Sequence, residues 1–244
     1  MKQCIFTLTS SKELAPGTFE MVLSGDTSAI CAPGQFVNIR LDGFFLRRPI
    51  SVSDCSDGQM TLIYKVVGKG TRAMSQLPAG TELDVLTGLG NGYCLDRAGS
   101  RPLLIGGGAG VPPMVWLARE LKERGVNPVA ILGFNTASEI FAVERFEEIG
   151  AEVILCTADG SAGIKGFVTD GMKVVGTYSY TYACGPEPML RAVYDLSTTD
   201  GEYSFEERMG CGFGACMGCS CQTKYGSKRI CKDGPVLTKE EIRW

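Results

Sequence analysis

Leu103-Leu104-Ile105-Gly106-Gly107-Gly108-Ala109-Gly110-Val111-Pro112-Pro113, continuing into Met114-Val115-Trp116-Leu117-Ala118-Arg119-Glu120-Leu121-Lys122, reads as a buried strand, a glycine turn and an amphipathic helix. Met114, Leu117, Ala118 and Leu121 recur at helical spacing, and Gly125 supplies the stop. A strand feeding a helix through such a turn is half of a βαβ unit, so a parallel sheet covered by helices is expected. The turn leaves backbone N–H groups free at the positive end of a helix, where a pyrophosphate docks. Gly107, Gly108 and Gly110 are therefore candidate nucleotide contacts. Close strand–helix packing also calls for glycine, and the turn alone leaves both readings open.

Downstream the design repeats. Tyr182-Ala183-Cys184-Gly185-Pro186-Glu187-Pro188-Met189-Leu190 ends a strand, turns on Gly-Pro and enters a helix running through Ala192 and Val193. Both turns belong at the carboxyl edge of one sheet and frame one crevice, with Cys184, Gly185 and Pro186 on its second side. Taken alone, Cys184 is a small buried hydrophobe. Upstream, short β-rich runs at 18–23, 35–40 and 60–65 are separated by Pro and Gly turns. Phe36, Asn38 and Arg40 alternate with Val37, Ile39 and Leu41, the pattern of a small antiparallel barrel. The chain thus divides into a β-barrel at 1–98, an α/β parallel-sheet domain at 99–205 and a cysteine-rich loop segment at 206–244.

In that last segment Cys211, Cys216 and Cys219 form a C-x4-C-x2-C run, and Cys231 follows twelve positions on. The spacing is that of a plant-type [2Fe-2S] ligand set and not of paired zinc knuckles. Gly212, Gly214 and Gly218 free the backbone to take positive φ and curl around a cluster. Cys221 does not fit the spacing and is left out. A structural zinc, or disulfides in a secreted chain, are the alternatives. With no histidine present, a Rieske centre and histidine-based triads are excluded.

At 244 residues the chain has room for one or two domains and a sizeable core. A net charge of -3 without basic runs argues against nucleic acid and anionic membrane surfaces. The start of the chain has no long apolar signal segment, and no stretch approaches a membrane span. Eleven cysteines in such a chain suit metal ligands in a reducing compartment, so a cytoplasmic location is expected.

Arg48-Pro49-Ile50-Ser51, Gly68-Lys69-Gly70-Thr71, the glycine turn and the Cys184-Gly185-Pro186 turn stand in an order that resembles the ferredoxin-NADP reductase superfamily. There a flavin-binding barrel precedes a nicotinamide-binding α/β domain. Arg47-Arg48-Pro49-Ile50-Ser51 together with the tail from Cys211 to Cys231 and Lys232-Asp233-Gly234-Pro235-Val236 resembles the electron-transfer subunits of NAD-dependent bacterial dihydroorotate dehydrogenases. The resemblance implies FAD on the barrel. Arg48 would pair with its pyrophosphate, Ser51 would approach the ring, and the peptides of Pro49 and Ile50 would complete that wall. Ile50 stands where the superfamily usually has a stacking tyrosine. Ile63, Tyr64 and Lys65 would line the cofactor, and Gly70 and Thr71 would touch phosphate.

The same resemblance implies NAD, and a catalytic FMN-containing dihydroorotate dehydrogenase subunit as partner in a heterotetramer of two subunits of each kind. Residues 135–139 offer no Arg or Lys to meet a 2′-phosphate, which favours NAD over NADP, although Arg145 lies near enough in sequence to be swung in. No substrate-level catalytic residue is assigned. The alternatives are a subunit of a ferredoxin:NADP oxidoreductase or sulfide dehydrogenase complex, and a non-enzymatic redox sensor or zinc-stabilised binding module.

Overall fold

The computed structural model describes residues 1–56 and 58–244. β1 (Lys2–Ala15), β2 (Thr18–Ser24), β3 (Phe36–Ile39), β4 (Arg48–Ser56), β5 (Gln59–Lys65) and β6 (Glu82–Leu89) close into an antiparallel barrel of order β1-β2-β5-β4-β3-β6. Closure leaves no unpaired edge. Inward-pointing Phe6, Leu8, Leu23, Val37, Val52 and Leu62 fill it. A short helix, α1 (Lys69–Ser75), leads from β5 towards β6.

The second unit runs β7 (Leu103–Gly107), α2 (Val111–Glu123), β8 (Val129–Phe134), α3 (Val143–Ile149), β9 (Glu152–Thr157), β10 (Ile164–Lys165), α4 (Val168–Met172), β11 (Thr181–Cys184), α5 (Glu187–Leu196) and β12 (Gly201–Ser204). Its strands are parallel in the order β10-β9-β8-β7-β11-β12. The chain moves outward from β7 to β10 and then returns to the other side of β7 as β11. The topological switch therefore lies between β7 and β11, where open α/β sheets bind ligands. The barrel and the α/β sheet expected from the sequence are both present.

The cysteine-rich segment is built into this frame. β13 (Ser220–Thr223) and β14 (Gly226–Arg229) form a hairpin, α6 (Ile230–Asp233) follows, and β15 (Val236–Thr238) pairs antiparallel with β12 as the sheet's edge strand. Asn91, just past β6, exchanges hydrogen bonds with Val236, donating at 2.8 Å and accepting at 3.1 Å. All four residues of β3 are buried. Val37 and Ile39 face the barrel core, while Phe36 joins the cluster that contains Cys219, Ile230 and Cys231. The alternation in 36–39 therefore sorts two buried faces, because the C-terminal segment covers the outer one, and of residues 36–41 only Arg40, just beyond the strand, returns to solvent.

Barrel and sheet are packed together. α2 lies against β4, and Trp116, 4% exposed, enters the barrel core. Ion pairs Arg119–Asp54, Arg145–Glu20 and, at 3.6 Å, Lys65–Glu139 span the join. Among the described residues no helix is long and apolar enough to cross a membrane.

Candidate functional site

On the barrel, Arg48, Pro49, Ile50 and Ser51 are only half-buried, whereas Val52 and Ser53 beyond them are fully enclosed. The guanidinium of Arg48 lies over Gly70, so closely that a Cβ at that position would overlap it. It sits 4.8 Å from the Phe44 ring centroid and donates to the main-chain carbonyls of Leu46 and Arg47. Among the described residues it has no carboxylate partner. A guanidinium without a counter-charge, facing bare backbone, suits a phosphate. The Thr71 hydroxyl is engaged locally, accepting the amides of Val67 at 3.0 Å and Gly68 at 3.2 Å at the start of α1.

Arg47 does something different from its neighbour. Its fork grips Asp84 of β6 at 3.1 and 2.9 Å and reaches the Asp84 and Asn38 carbonyls. The Arg47 guanidinium holds the Asp84 carboxyl below its ordinary value. This residue straps the β3–β4 loop to β6.

Ile63, Tyr64 and Lys65 line a cleft with Gly108, Ala109 and Phe141, so β5 of the barrel faces the glycine turn of the sheet. Tyr64 is 4% exposed, its hydroxyl has no partner among the described residues, and burial pushes its phenol up to about 12. A buried hydroxyl without a partner calls for a polar group to meet it, and a bound flavin nucleotide supplies such groups. The barrel residues thus fit FAD.

Across the switch point, Gly106 and Cys184 are register partners on β7 and β11. A Cβ on Gly110 would overlap the Cys184 carbonyl and stand 2.6 Å from the Gly185 amide. That close approach brings Gly107, Gly108, Gly110, Cys184, Gly185 and Pro186 to one crevice, as the repeated turn design implies. Burial pushes the Cys184 thiol up to about 12, so it stays protonated at neutral pH. Arg145 is not available to a 2′-phosphate, since it is paired with Glu20, a 5%-exposed carboxylate on β2.

Sequence reasoning missed Asp159, two residues past β9. Its carboxylate accepts from the Ser161 amide at 2.9 Å and hydroxyl at 2.6 Å, and the Ser161 hydroxyl accepts the Ala137 amide at 2.7 Å. This places a carboxylate beside the 135–139 loop, where it can accept from a ribose hydroxyl and repel a 2′-phosphate. The signal was an acidic residue at a strand's carboxyl end, one strand beyond the one inspected.

The four cysteines come as two pairs. The Cys211 sulfur accepts the Ala215 and Cys216 amides at 3.2 and 3.5 Å, and the Cys219 sulfur accepts the Cys231 amide at 3.4 Å. Burial opposes ionisation of Cys211, but the amides of Cys216, Phe213 and Ala215 and the Cys216 thiol outweigh it and bring that thiol down to about 6. Burial, then the neighbouring Cys219, push Cys231 up to about 12. No three of the described His, Cys, Asp or Glu side chains converge as a single ion requires. Two cysteine pairs fit two irons with two protein ligands each. Gly212 and Gly214 take positive φ, at +79° and +91°, as expected. Gly218 does not, and Met217, at +59°, carries the left-handed turn instead. Cys221 lies on β13 opposite Lys228, outside both pairs.

The loop reaches the barrel through Asn38 of β3, whose Nδ2 donates to the Cys211 carbonyl at 3.2 Å. Asn38 is the register partner of Pro49 on β4.

Residues 206–243 match the family model described as the iron-sulfur cluster binding domain of dihydroorotate dehydrogenase B. The chain is 41% identical to the dihydroorotate dehydrogenase B (NAD(+)) electron transfer subunit of Fusobacterium nucleatum subsp. nucleatum, over 97% of this chain and 96% of that one. It is 43% identical to the protein of the same name from Bacillus caldolyticus, with the same coverage. Among solved structures, a chain of the NADH-dependent reduced ferredoxin-NADP oxidoreductase superposes with a TM-score of 0.89 at 30% identity, covering 98% of this chain and 90% of that one.

Proposed function

The chain belongs to the family of dihydroorotate dehydrogenase B electron-transfer subunits, and from this we propose that it passes electrons from a catalytic subunit to NAD+ through a [2Fe-2S] cluster and FAD. The overall reaction takes two electrons and two protons from dihydroorotate; NAD+ accepts a hydride and one proton is released. A nicotinamide exchanges electrons in pairs and a cluster singly, and a flavin between them can do both.

The roles fall to residues already placed. Arg48 and Gly70 hold the FAD pyrophosphate, with Thr71 beside them. Pro49, Ile50 and Ser51 form the wall against its ring, and Ile63, Tyr64 and Lys65 line it from β5. Gly107, Gly108, Gly110, Cys184, Gly185 and Pro186 take the nicotinamide nucleotide, and Asp159 favours NAD over NADP. Cys211, Cys216, Cys219 and Cys231 ligate the cluster. Dihydroorotate is oxidised on the partner, which carries FMN, in a cytoplasmic assembly of two subunits of each kind.

The observation that supports this reading best is the convergence of all three candidate sites on β3, β4 and β5. Asn38 joins the cysteine loop opposite Pro49, and residues 63–65 share a cleft with Gly108. The test is the visible spectrum of anaerobically purified protein titrated with NADH and separately with NADPH. Bleaching of flavin and cluster absorbance by NADH is expected. Bleaching by NADPH alone would transfer the chain to a ferredoxin:NADP oxidoreductase or sulfide dehydrogenase role, and a colourless, unreactive protein would leave only a binding module.

A further inference from the structure

We propose that Asn38 is a positioning residue that fixes the cluster loop to the flavin-bearing wall of the barrel and so governs electron exchange between the two cofactors. The proposal rests on the cofactor placement above and goes beyond it by assigning a residue that neither binds FAD nor ligates iron.

Asn38 is 1% exposed and sits mid-strand in β3. Its backbone is held on both sides: β4 pairs with it at Pro49, β6 at Leu86, and the Arg47 guanidinium reaches its carbonyl at 3.4 Å while gripping Asp84. From this fixed point the side-chain amide donates to the carbonyl of Cys211. The orientation is forced by chemistry, since the flipped amide would set two acceptors against each other. The loop is shaped to receive it, because at Gly212, φ +79°, a side chain would run into the Asn38 amide. On its far side the loop is held by Arg229, whose guanidinium donates to the Gly214 carbonyl at 3.0 Å. Asn38 thus supplies the hydrogen bond that ties a ligand cysteine to the barrel.

The cost of the arrangement supports a functional reading. Asn38 Oδ1 is buried and has no partner among the described residues. Such an orphan is unfavourable, and an apolar side chain of similar size would avoid it. What an apolar residue could not do is hold the Cys211 peptide. Residues that orient metal ligands from behind typically matter by about 10–100-fold in affinity or activity.

The experiment uses the full-length chain, purified anaerobically with both cofactors, as wild type, Asn38→Leu, Asn38→Asp, Asn38→Gln and Gly212→Ala. Three readouts are taken: FAD, iron and sulfide content; single-turnover reduction by NADH, with the flavin and cluster phases resolved; and the electron paramagnetic resonance spectrum of the reduced cluster. Asn38→Leu and Asn38→Asp should keep FAD and the flavin phase within about twofold. They should slow the cluster phase about tenfold or more, with a changed cluster spectrum or reduced cluster content. Asn38→Gln, which keeps the donor, should recover most of the rate, and Gly212→Ala, which strains the same contact from the loop side, should reproduce the defect. Asn38→Leu should melt no lower than wild type. A normal cluster phase and spectrum in Asn38→Leu, Asn38→Asp and Gly212→Ala would overturn the proposal. So would a defect that tracks melting temperature across the set. A wild-type protein that NADH fails to bleach would instead overturn the functional reading on which it rests.

Discussion

Five cysteines compete for four places in the tail, and position alone separates them. Cys211 with Cys216 and Cys219 with Cys231 are neighbours in space, while Cys221 points from a hairpin strand and burial raises its thiol. Cys219→Ser should therefore lose the cluster's absorbance while FAD remains bound, because Arg48 and Gly70 lie on a different part of the chain. Cys221→Ser should retain both, and iron and flavin content of the two purified proteins decides this. A second residue-scale effect concerns pH. Glu202 is 3% exposed and accepts the Cys94 amide at 2.9 Å, yet burial raises its carboxyl above the ordinary 4.5. A raised acid opposes folding when ionised, so the penalty is absent below about pH 4.5, grows as pH rises from there to the folded value, and is fully present above it. Glu202→Gln should melt higher than wild type at pH 8, and the gain should vanish as melting is repeated towards pH 4.5.

At the scale of elements, α2 serves two neighbours. Its Met114, Leu117 and Leu121 stripe packs on the sheet, which the helical spacing made legible, while Trp116 enters the barrel. A helix buried on two sides shows one clean stripe and hides the second, because periodicity cannot say which of two partners a residue meets. β3 is the strand counterpart: its alternation was visible, but both faces proved buried. The tie from Asn38 to Cys211 spans 173 residues and leaves no local pattern to read. The turns after β7 and β11 were legible because glycine and proline mark them locally. The shift of the left-handed turn from Gly218 to Met217 was not, since glycine permits positive φ without requiring it. Trp116→Ala should cost about 3–5 kcal/mol, the usual range for removing a large aromatic from a core. Because Trp116 touches the barrel and not the sheet core, the loss should appear in chemical denaturation as earlier unfolding of the barrel, with loss of FAD fluorescence quenching at the same denaturant concentration.

For the whole molecule, the question is whether the cysteine segment is an appendage or part of the frame. Its ligand-bearing loop is exposed at Cys216, but the rest of the segment is structural. β15 pairs with β12, Val236 is bracketed by Asn91, and Phe36, Leu86 and Leu89 of the barrel pack in the same cluster as Ile230, Leu237 and Ile242. Removing residues 206–244 would bare a sheet edge and expose several large apolar side chains, each worth about 1.5–3 kcal/mol when buried. Removing only the cluster, as in Cys219→Ser, leaves those contacts in place. The two changes should therefore separate sharply. The truncated chain should aggregate or melt more than about 10 °C below the full chain in its cluster-free form, since for a domain of 150–250 residues each kcal/mol shifts melting by about 2–4 °C. The serine variant should melt within about 4 °C of that same cluster-free form. Equal melting of the truncated and full chains would mean that the segment is a module hung on a self-sufficient reductase. The predicted gap would mean that the loop carrying the cluster is fixed relative to the barrel by the same packing that completes the fold.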